Sequence, residues 1–162
     1  MKRLICLALS MLLLCGCGIM GERIKEPVTF YYVRGDYHRN MESVIVSEDR
    51  EAAGHKDDLP YLLALYSMGP STDGFVSPFP KNTRIIPTEH TEAGIVLSLS
   101  DVPESRTDAE FTLAGACLSL TCMELTDASQ ITVISGDRSV TINTDNLIMM
   151  ETGHQRKLEE FK

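Results

Sequence analysis

The chain has few cationic residues and lacks the short motifs of common enzyme classes. Its 162 residues include 15 Lys and Arg against 23 Asp and Glu, a formal net charge of −8. Binding to nucleic acid or to an anionic lipid surface needs clustered Lys and Arg, so this balance argues against both partners. The sequence contains no HExxH, GxSxG, Walker or CxxC motif. These absences favour a protein that is not an enzyme and that needs no cofactor or metal.

Long hydrophobic runs are also scarce, and the longest is too short to cross a membrane. It covers Leu4 to Leu14, about 11 residues, whereas a membrane-spanning helix needs roughly 20. Lys2 and Arg3 precede this run, and Leu14-Cys15-Gly16-Cys17 follows it. A charged start, a short apolar run and small residues before a cysteine are typical of a bacterial lipoprotein signal peptide. We expect residues 1–16 to be removed and Cys17 to be lipidated.

Lipidation would place the mature chain at a membrane. Two or three acyl chains, palmitate among them, are enough for stable anchoring where one is marginal. We therefore expect a cell-membrane lipoprotein on the extracytoplasmic face, with residues 17–26 as a short tether. Removal of residues 1–16 leaves 162 − 16 = 146 residues and takes away Lys2 and Arg3, so the net charge becomes −8 − 2 = −10. This length suits one domain, which we place at 27–150, followed by a charged tail at 151–162.

The two cysteines that remain after Cys17 lie in one predicted helix. Cys117 and Cys122 are five residues apart, which turns them to different sides of the helix and separates them by more than a disulfide tolerates. We expect both to be free thiols in the core.

Hydrophobic periodicity predicts six strands and two helices in the order ββαββαββ. The strands alternate apolar and polar residues, and the second helix begins with a capping box at Thr107-Asp108-Ala109-Glu110. The predicted fold is α+β, a two-layer sandwich of a mainly antiparallel sheet with two helices on one face. The predicted strands are 28–33, 43–47, 83–88, 94–99, 131–135 and 138–142; the predicted helices are 59–68 and one that begins at 107.

Several segments follow, in order, the pattern of one family. The most specific is a helix ending in Gly69-Pro70, then Pro-x-x-Thr at Pro80 to Thr83, then a strand ending in Leu99-Ser100. With the lipoprotein signal upstream, the chain resembles the GerMN domain, the sporulation and spore germination domain, over about Pro27 to Ile142. The resemblance implies an envelope lipoprotein of Gram-positive bacteria, a fold similar to the ring-building motifs of secretion and sporulation channels, and no known catalytic residues.

Three clusters of polar residues could carry chemistry, and each has a simpler structural explanation. A metal site at His55-Lys56-Asp57-Asp58 is less probable than a helix start, where acidic residues are favoured. Glu89, His90 and Glu92 fit a polar β-turn, and Ser98 and Ser100 beside Asp101 fit hydrogen bonding at a strand end. We therefore expect no metal site and no catalytic residues.

Aromatic residues in loops and at strand ends are the remaining candidates for a functional surface. Tyr31, Tyr37, Phe75 and Phe79 could anchor a protein interface. The alternative is that Phe75 and Phe79 attach the long loop 71–82 to the sheet. We expect a scaffold or partner-binding protein of the envelope that binds other envelope or sporulation proteins, or further copies of itself. A peptidoglycan- or glycan-binding accessory module and a hydrolase with an unrecognised site are the alternatives.

Overall fold

The structure is a computed structural model of the chain, and it describes residues 25–36, 43–81, 83–91, 94–100 and 106–144. Cys17, the tether before Lys25, Tyr37 and the tail 151–162 lie outside the described residues. The expectations for these segments stay predictions.

The described residues form an α+β fold, as predicted, with two helices and seven strands. The order contains one strand more than expected, because the loop 71–82 includes a two-residue strand. The strands are β1 (Pro27–Arg34), β2 (Ile45–Glu51), β3 (Phe75–Val76), β4 (Ile85–Thr91), β5 (Gly94–Leu99), β6 (Gln130–Ser135) and β7 (Arg138–Asn143); the helices are α1 (Leu59–Ser67) and α2 (Asp108–Leu125).

The strands make two sheets, where the sequence predicted one. The first has the order β2-β1-β3 and the second β4-β5-β6-β7. All pairs are antiparallel except β5 and β6, which are parallel because α2 carries the chain back between them. The strand β3 pairs only with Val33 and Arg34 of β1. The main-chain N–H and C=O of Tyr31 bond instead to side chains of the two helices, Thr121 and Tyr66.

Both helices begin where their sequences predict, and α1 ends within one residue of its predicted end, whereas α2 continues to Leu125. Asp58 caps α1, and its carboxylate accepts a hydrogen bond from the N–H of Tyr61 at 3.1 Å. Gly69, just beyond α1, has φ +89°, a conformation that glycine adopts without strain. Thr107 and Glu110 form the predicted capping box of α2. These caps satisfy N–H groups that have no partner within the helix.

The strand β4 begins two residues later than predicted and extends to Thr91, so residues 89–91 belong to the strand and not to the predicted turn 89–93. Glu89 and His90 belong to the strand and pair with Val96 and Ile95 of β5. The register shifts between Pro87 and Glu89. Proline has no N–H to give to a ladder, so an irregularity beside it is expected.

One hydrophobic core joins the two sheets and both helices. Val28, Phe30 and Tyr32 point into it from β1, as the alternation predicts. The face of α2 that carries Phe111, Ala114, Leu118 and Cys122 is buried along its length. The helix α2 packs against β1, β6 and β7 and so holds both sheets, while α1 packs against β4.

Candidate functional site

The aromatic residues proposed as interface anchors are not gathered on one exposed surface. Tyr31 and Phe75 are half-buried, and Phe79 is only 7% exposed within the core. Phe75 also packs against the core. These positions fit the alternative in which the two phenylalanines attach the loop to the domain. Tyr37, the fourth candidate, lies outside the described residues.

Two of the polar clusters are described only in part, because Glu92 and Asp101 lie outside the described residues. His55 stacks on the ring of Tyr61 with 4.1 Å between centroids, and its Nδ1 lies 3.7 Å from Asp58, the cap of α1. The helix-start interpretation of this segment is therefore confirmed. Glu89 and His90 are exposed on β4. Among the described residues, no three His, Cys, Asp or Glu side chains are close enough to hold a metal ion.

Cys117 and Cys122 are free and buried, as predicted. Burial raises the pKa of each thiol to about 12. The neutral thiol is therefore the dominant form at physiological pH, and a neutral thiol is a poor nucleophile.

A buried network of aromatic rings and hydroxyl groups joins α1 to β1. The rings of Tyr32 and Tyr66 stack with 5.0 Å between centroids, and Phe30 meets Tyr66 edge-on at 5.7 Å. The Tyr32 hydroxyl donates to the main-chain oxygen of Tyr66, and the Tyr66 hydroxyl donates to that of Tyr31. Burial raises the pKa of both tyrosines. This network fixes the position of α1 and therefore of any site beside it.

The segment that follows α1 is held by a buried carboxylate of β2. Glu48 accepts hydrogen bonds from the main-chain N–H of Thr72 at 2.7 Å and from the N–H and hydroxyl of Ser71. Arg50 lies 3.3 Å from Glu48 and donates to the carbonyl of Gly69 at 3.1 Å. Burial alone would raise the pKa of Glu48, but the hydrogen bonds from Thr72 and Ser71 outweigh it and lower the pKa to about 2.

A cleft of about 610 Å³ lies between α1 and the start of β4. Its volume falls within the range of small-ligand sites. One wall comes from α1 and the other from residues 83–86. The described lining residues are Pro60, Leu63, Ala64, Ser67, Thr83, Arg84, Ile85 and Ile86.

The cleft adjoins an edge strand of the second sheet. Ile85 and Ile86, the first two residues of β4, both line it. One edge of β4 pairs with β5, and β4 has no further strand partner among the described residues. Ile86 is 49% exposed there, and Met68, just beyond α1, is 80% exposed.

Two polar residues among those that line the cleft, Arg84 and Thr83, bear on what it could bind. Arg84 is the only charged residue among the described lining residues, and no carboxylate of the described chain lies within ion-pair distance of it. Its main-chain N–H and C=O both bond to Ser100, so its backbone position is fixed. Thr83 is 3% exposed, and its hydroxyl has no hydrogen-bond partner in the part of the chain that the structure describes.

Sequence reasoning did not find this cleft. Its walls lie more than 15 residues apart in the chain. The sequence predicts Thr83 and Arg84 only as the first residues of the strand 83–88, with Thr83 also in the Pro-x-x-Thr pattern. The one signal that could have drawn attention was an arginine at a strand start in an acidic chain.

Two further findings bear on the identity of the chain. Neither helix of the described residues combines the length and the apolar character that crossing a membrane requires. Comparison of the chain with protein-family profiles, with curated proteins and with solved structures gives no match in any of the three.

Proposed function

We propose that this chain is a lipid-anchored, non-enzymatic scaffold or partner-binding protein of the bacterial cell envelope. The observation that carries the proposal is an edge of β4 without a strand partner among the described residues, beside an open cleft, with Ile86 and Met68 exposed. An edge strand offers unpaired N–H and C=O groups to another chain. Exposed apolar side chains beside such groups supply the burial that a protein interface needs.

The location in the proposal rests on the sequence before the domain. A signal of the lipoprotein type that ends at Cys17 would hold the mature chain on the extracytoplasmic face of the cell membrane. The domain begins at Pro27, so fewer than a dozen residues separate it from the lipid. Its partners would then be proteins that work close to the membrane.

The role in sporulation or spore germination rests on the resemblance to the GerMN domain. The same resemblance supports a two-layer arrangement with both helices on one face and a fold similar to ring-building motifs. In such folds small α/β modules pack side by side, and the free edge of β4 would suit contacts between copies of this chain. These parts of the proposal depend on the family pattern, and the α+β architecture with its two helices agrees with it.

The alternative is a peptidoglycan- or glycan-binding accessory module of a cell-wall enzyme system. It was suggested by aromatic residues in loops, which often stack on sugars. Burial of Phe79 and packing of Phe75 against the core leave fewer described aromatic side chains for that purpose. The partner-binding proposal therefore has more support.

The first test compares three strains of the source organism: the parent, a deletion strain, and the deletion strain with the intact chain restored. We expect the deletion to lower the yield of heat-resistant spores and restoration to recover it. Crosslinking in the intact envelope, followed by capture of the tagged chain, should then identify a protein partner. An unchanged spore yield would contradict the sporulation role, and capture of peptidoglycan without protein would favour the alternative.

The second test addresses the anchor. The variant Cys17→Ala should be found in the soluble extracytoplasmic fraction, whereas Cys122→Ala, a control at a cysteine within the domain, should stay with the membrane. Membrane retention of the Cys17→Ala protein would contradict lipid anchoring.

A further inference from the structure

We propose that the cleft between α1 and β4 binds an extended peptide that carries a carboxylate, with Arg84 as the group that recognises it. The proposal rests on the function proposed above, because it names the chemistry of the partner segment. It follows from three observations: the free strand edge in the cleft, the charge of the cleft, and the buried hydroxyl of Thr83.

The strand edge determines that the occupant is extended. Because Ile85 and Ile86 of β4 line the cleft, and β4 is an edge strand of the described sheet, a peptide lying in the cleft can add to the sheet as another strand. Main-chain hydrogen bonds would then give affinity, and the apolar wall of α1 with Leu63 and Ala64 would receive alternate side chains. Pro87 has no N–H, and the register shifts beside it. The pairing should therefore be confined to the start of β4.

The charge of the cleft determines which peptide binds. The whole chain carries a formal charge of −8, and yet the only charged residue among the described lining residues is Arg84. Asp57 and Asp58 are the acidic residues nearest in sequence to Pro60, and neither lines the cleft. A guanidinium group offers two parallel N–H donors to a carboxylate, so an acidic peptide is favoured over a neutral or basic one.

The hydroxyl of Thr83 supplies an independent reason for a ligand. A buried polar group without a partner is rare in folded proteins and destabilises them. Thr83 lines the cleft beside Arg84, and rotation between staggered χ1 positions moves its hydroxyl. A peptide in the cleft could therefore give this hydroxyl its missing partner. On this view Thr83 destabilises the free chain and strengthens the complex.

The test uses the full chain purified in detergent and an array of short random-sequence peptides attached through their N-termini. Each acidic peptide is paired with its neutral counterpart, in which Asp and Glu become Asn and Gln and the C-terminus is an amide. We expect the chain to retain acidic peptides about tenfold or more over their neutral counterparts, the effect of one charge-assisted hydrogen bond.

Two variants of equal net charge show whether the cleft is responsible. Arg84→Gln should abolish the preference for acidic peptides. Lys81→Gln removes the same charge from an exposed residue that does not line the cleft, and it should keep the preference. Loss of the preference in both variants, its survival in Arg84→Gln, or no preference in the unchanged chain would each overturn the proposal. Thermal unfolding of both variants verifies that they are folded.

The variant Thr83→Val tests the role of the hydroxyl, since valine has nearly the same shape. We expect Thr83→Val to raise the urea midpoint of the free chain and to weaken peptide binding several-fold. A lower midpoint, or unchanged binding, would contradict the role of Thr83.

The variant Arg84→Gln also separates this proposal from the proposed function. If that variant captures the same envelope protein as the parent chain, the proposed function stands and the cleft proposal fails; if the parent chain captures no protein, the proposed function itself fails.

Discussion

The hydroxyl of Thr121 in α2 accepts a hydrogen bond of 2.9 Å from the main-chain N–H of Tyr31 in β1, ninety residues earlier in the chain. The carbonyl of the same Tyr31 accepts a 2.9 Å hydrogen bond from the hydroxyl of Tyr66 in α1. One residue of β1 is thereby held by both helices. At Tyr31 these side chains form the main-chain hydrogen bonds that a neighbouring strand would otherwise form, and β3 pairs only with Val33 and Arg34.

Replacing Thr121 with valine should destabilise the domain. Valine keeps the shape and leaves the N–H of Tyr31 without its acceptor, which costs about 1–3 kcal/mol when the donor is buried. Urea unfolding of the variant measures the loss. The control is Thr132→Val, which removes one hydroxyl of the exposed pair Thr132 and Thr141; it should change stability by less than about 0.5 kcal/mol. Equal losses of unfolding free energy in the two variants would show that the hydrogen bond between Thr121 and Tyr31 stabilises the domain no more than an exposed hydroxyl pair does.

Stability should fall in acid through Glu48. Its pKa is lowered to about 2 from the usual 4.5, so the folded state binds this proton less readily than the unfolded state. The stabilisation is complete above about pH 4.5 and disappears as pH falls toward 2, a total of about 3 kcal/mol.

The variant Glu48→Gln isolates this contribution. The difference in unfolding free energy between the parent chain and Glu48→Gln should shrink between pH 5 and pH 2. Glu51→Gln, at an exposed position on the same strand, is the matched loss of a carboxylate. A difference that stays constant with pH would refute the assignment to Glu48.

Gly115 in α2 should not tolerate a larger residue. A Cβ atom at this position would lie 2.2 Å from Cγ1 of Val140 in β7. Alanine favours helices over glycine by about 1 kcal/mol, but the overlap should outweigh that gain and leave Gly115→Ala about 1–3 kcal/mol less stable. Because Val140→Ala removes the atom that clashes, the double variant should lose less than the two single variants added together. Strict additivity would mean that the two residues do not touch.

The thiols of Cys117 and Cys122 should react only when the domain opens. Both are fully buried, and burial raises each pKa to about 12, so labelling of the native chain by a water-soluble thiol reagent should be slow at pH 8. It should become fast in denaturant. An added cysteine at the exposed position Ser139 gives the rate for an accessible thiol. Rapid labelling of the native chain at Cys117 would contradict the packing of α2.

Local signals in the sequence predicted much of the fold. The caps at Asp58 and Thr107, the short turn between the predicted strands 131–135 and 138–142, and the burial of Cys117 and Cys122 depend on residues within a few positions of one another. Such features follow from backbone hydrogen bonding and side-chain spacing alone. The division into two sheets could not be predicted in this way, because the partners of Tyr31 lie in two distant helices.

The candidate site was also not predictable from local sequence signals, because it depends on contacts between distant parts of the chain. The sequence by itself determined the acidic charge, and it predicted the α+β class and the buried thiols that the structure confirms. The signal that ends at Cys17 stays a prediction from the sequence. Only the tertiary structure decided that Phe79 belongs to the core and that Thr83 and Arg84 lie in a cleft beside α1. Composition and periodicity indicate which secondary structure and which degree of burial each segment favours. A cleft forms between elements that are distant in sequence, and long-range packing determines their relative positions.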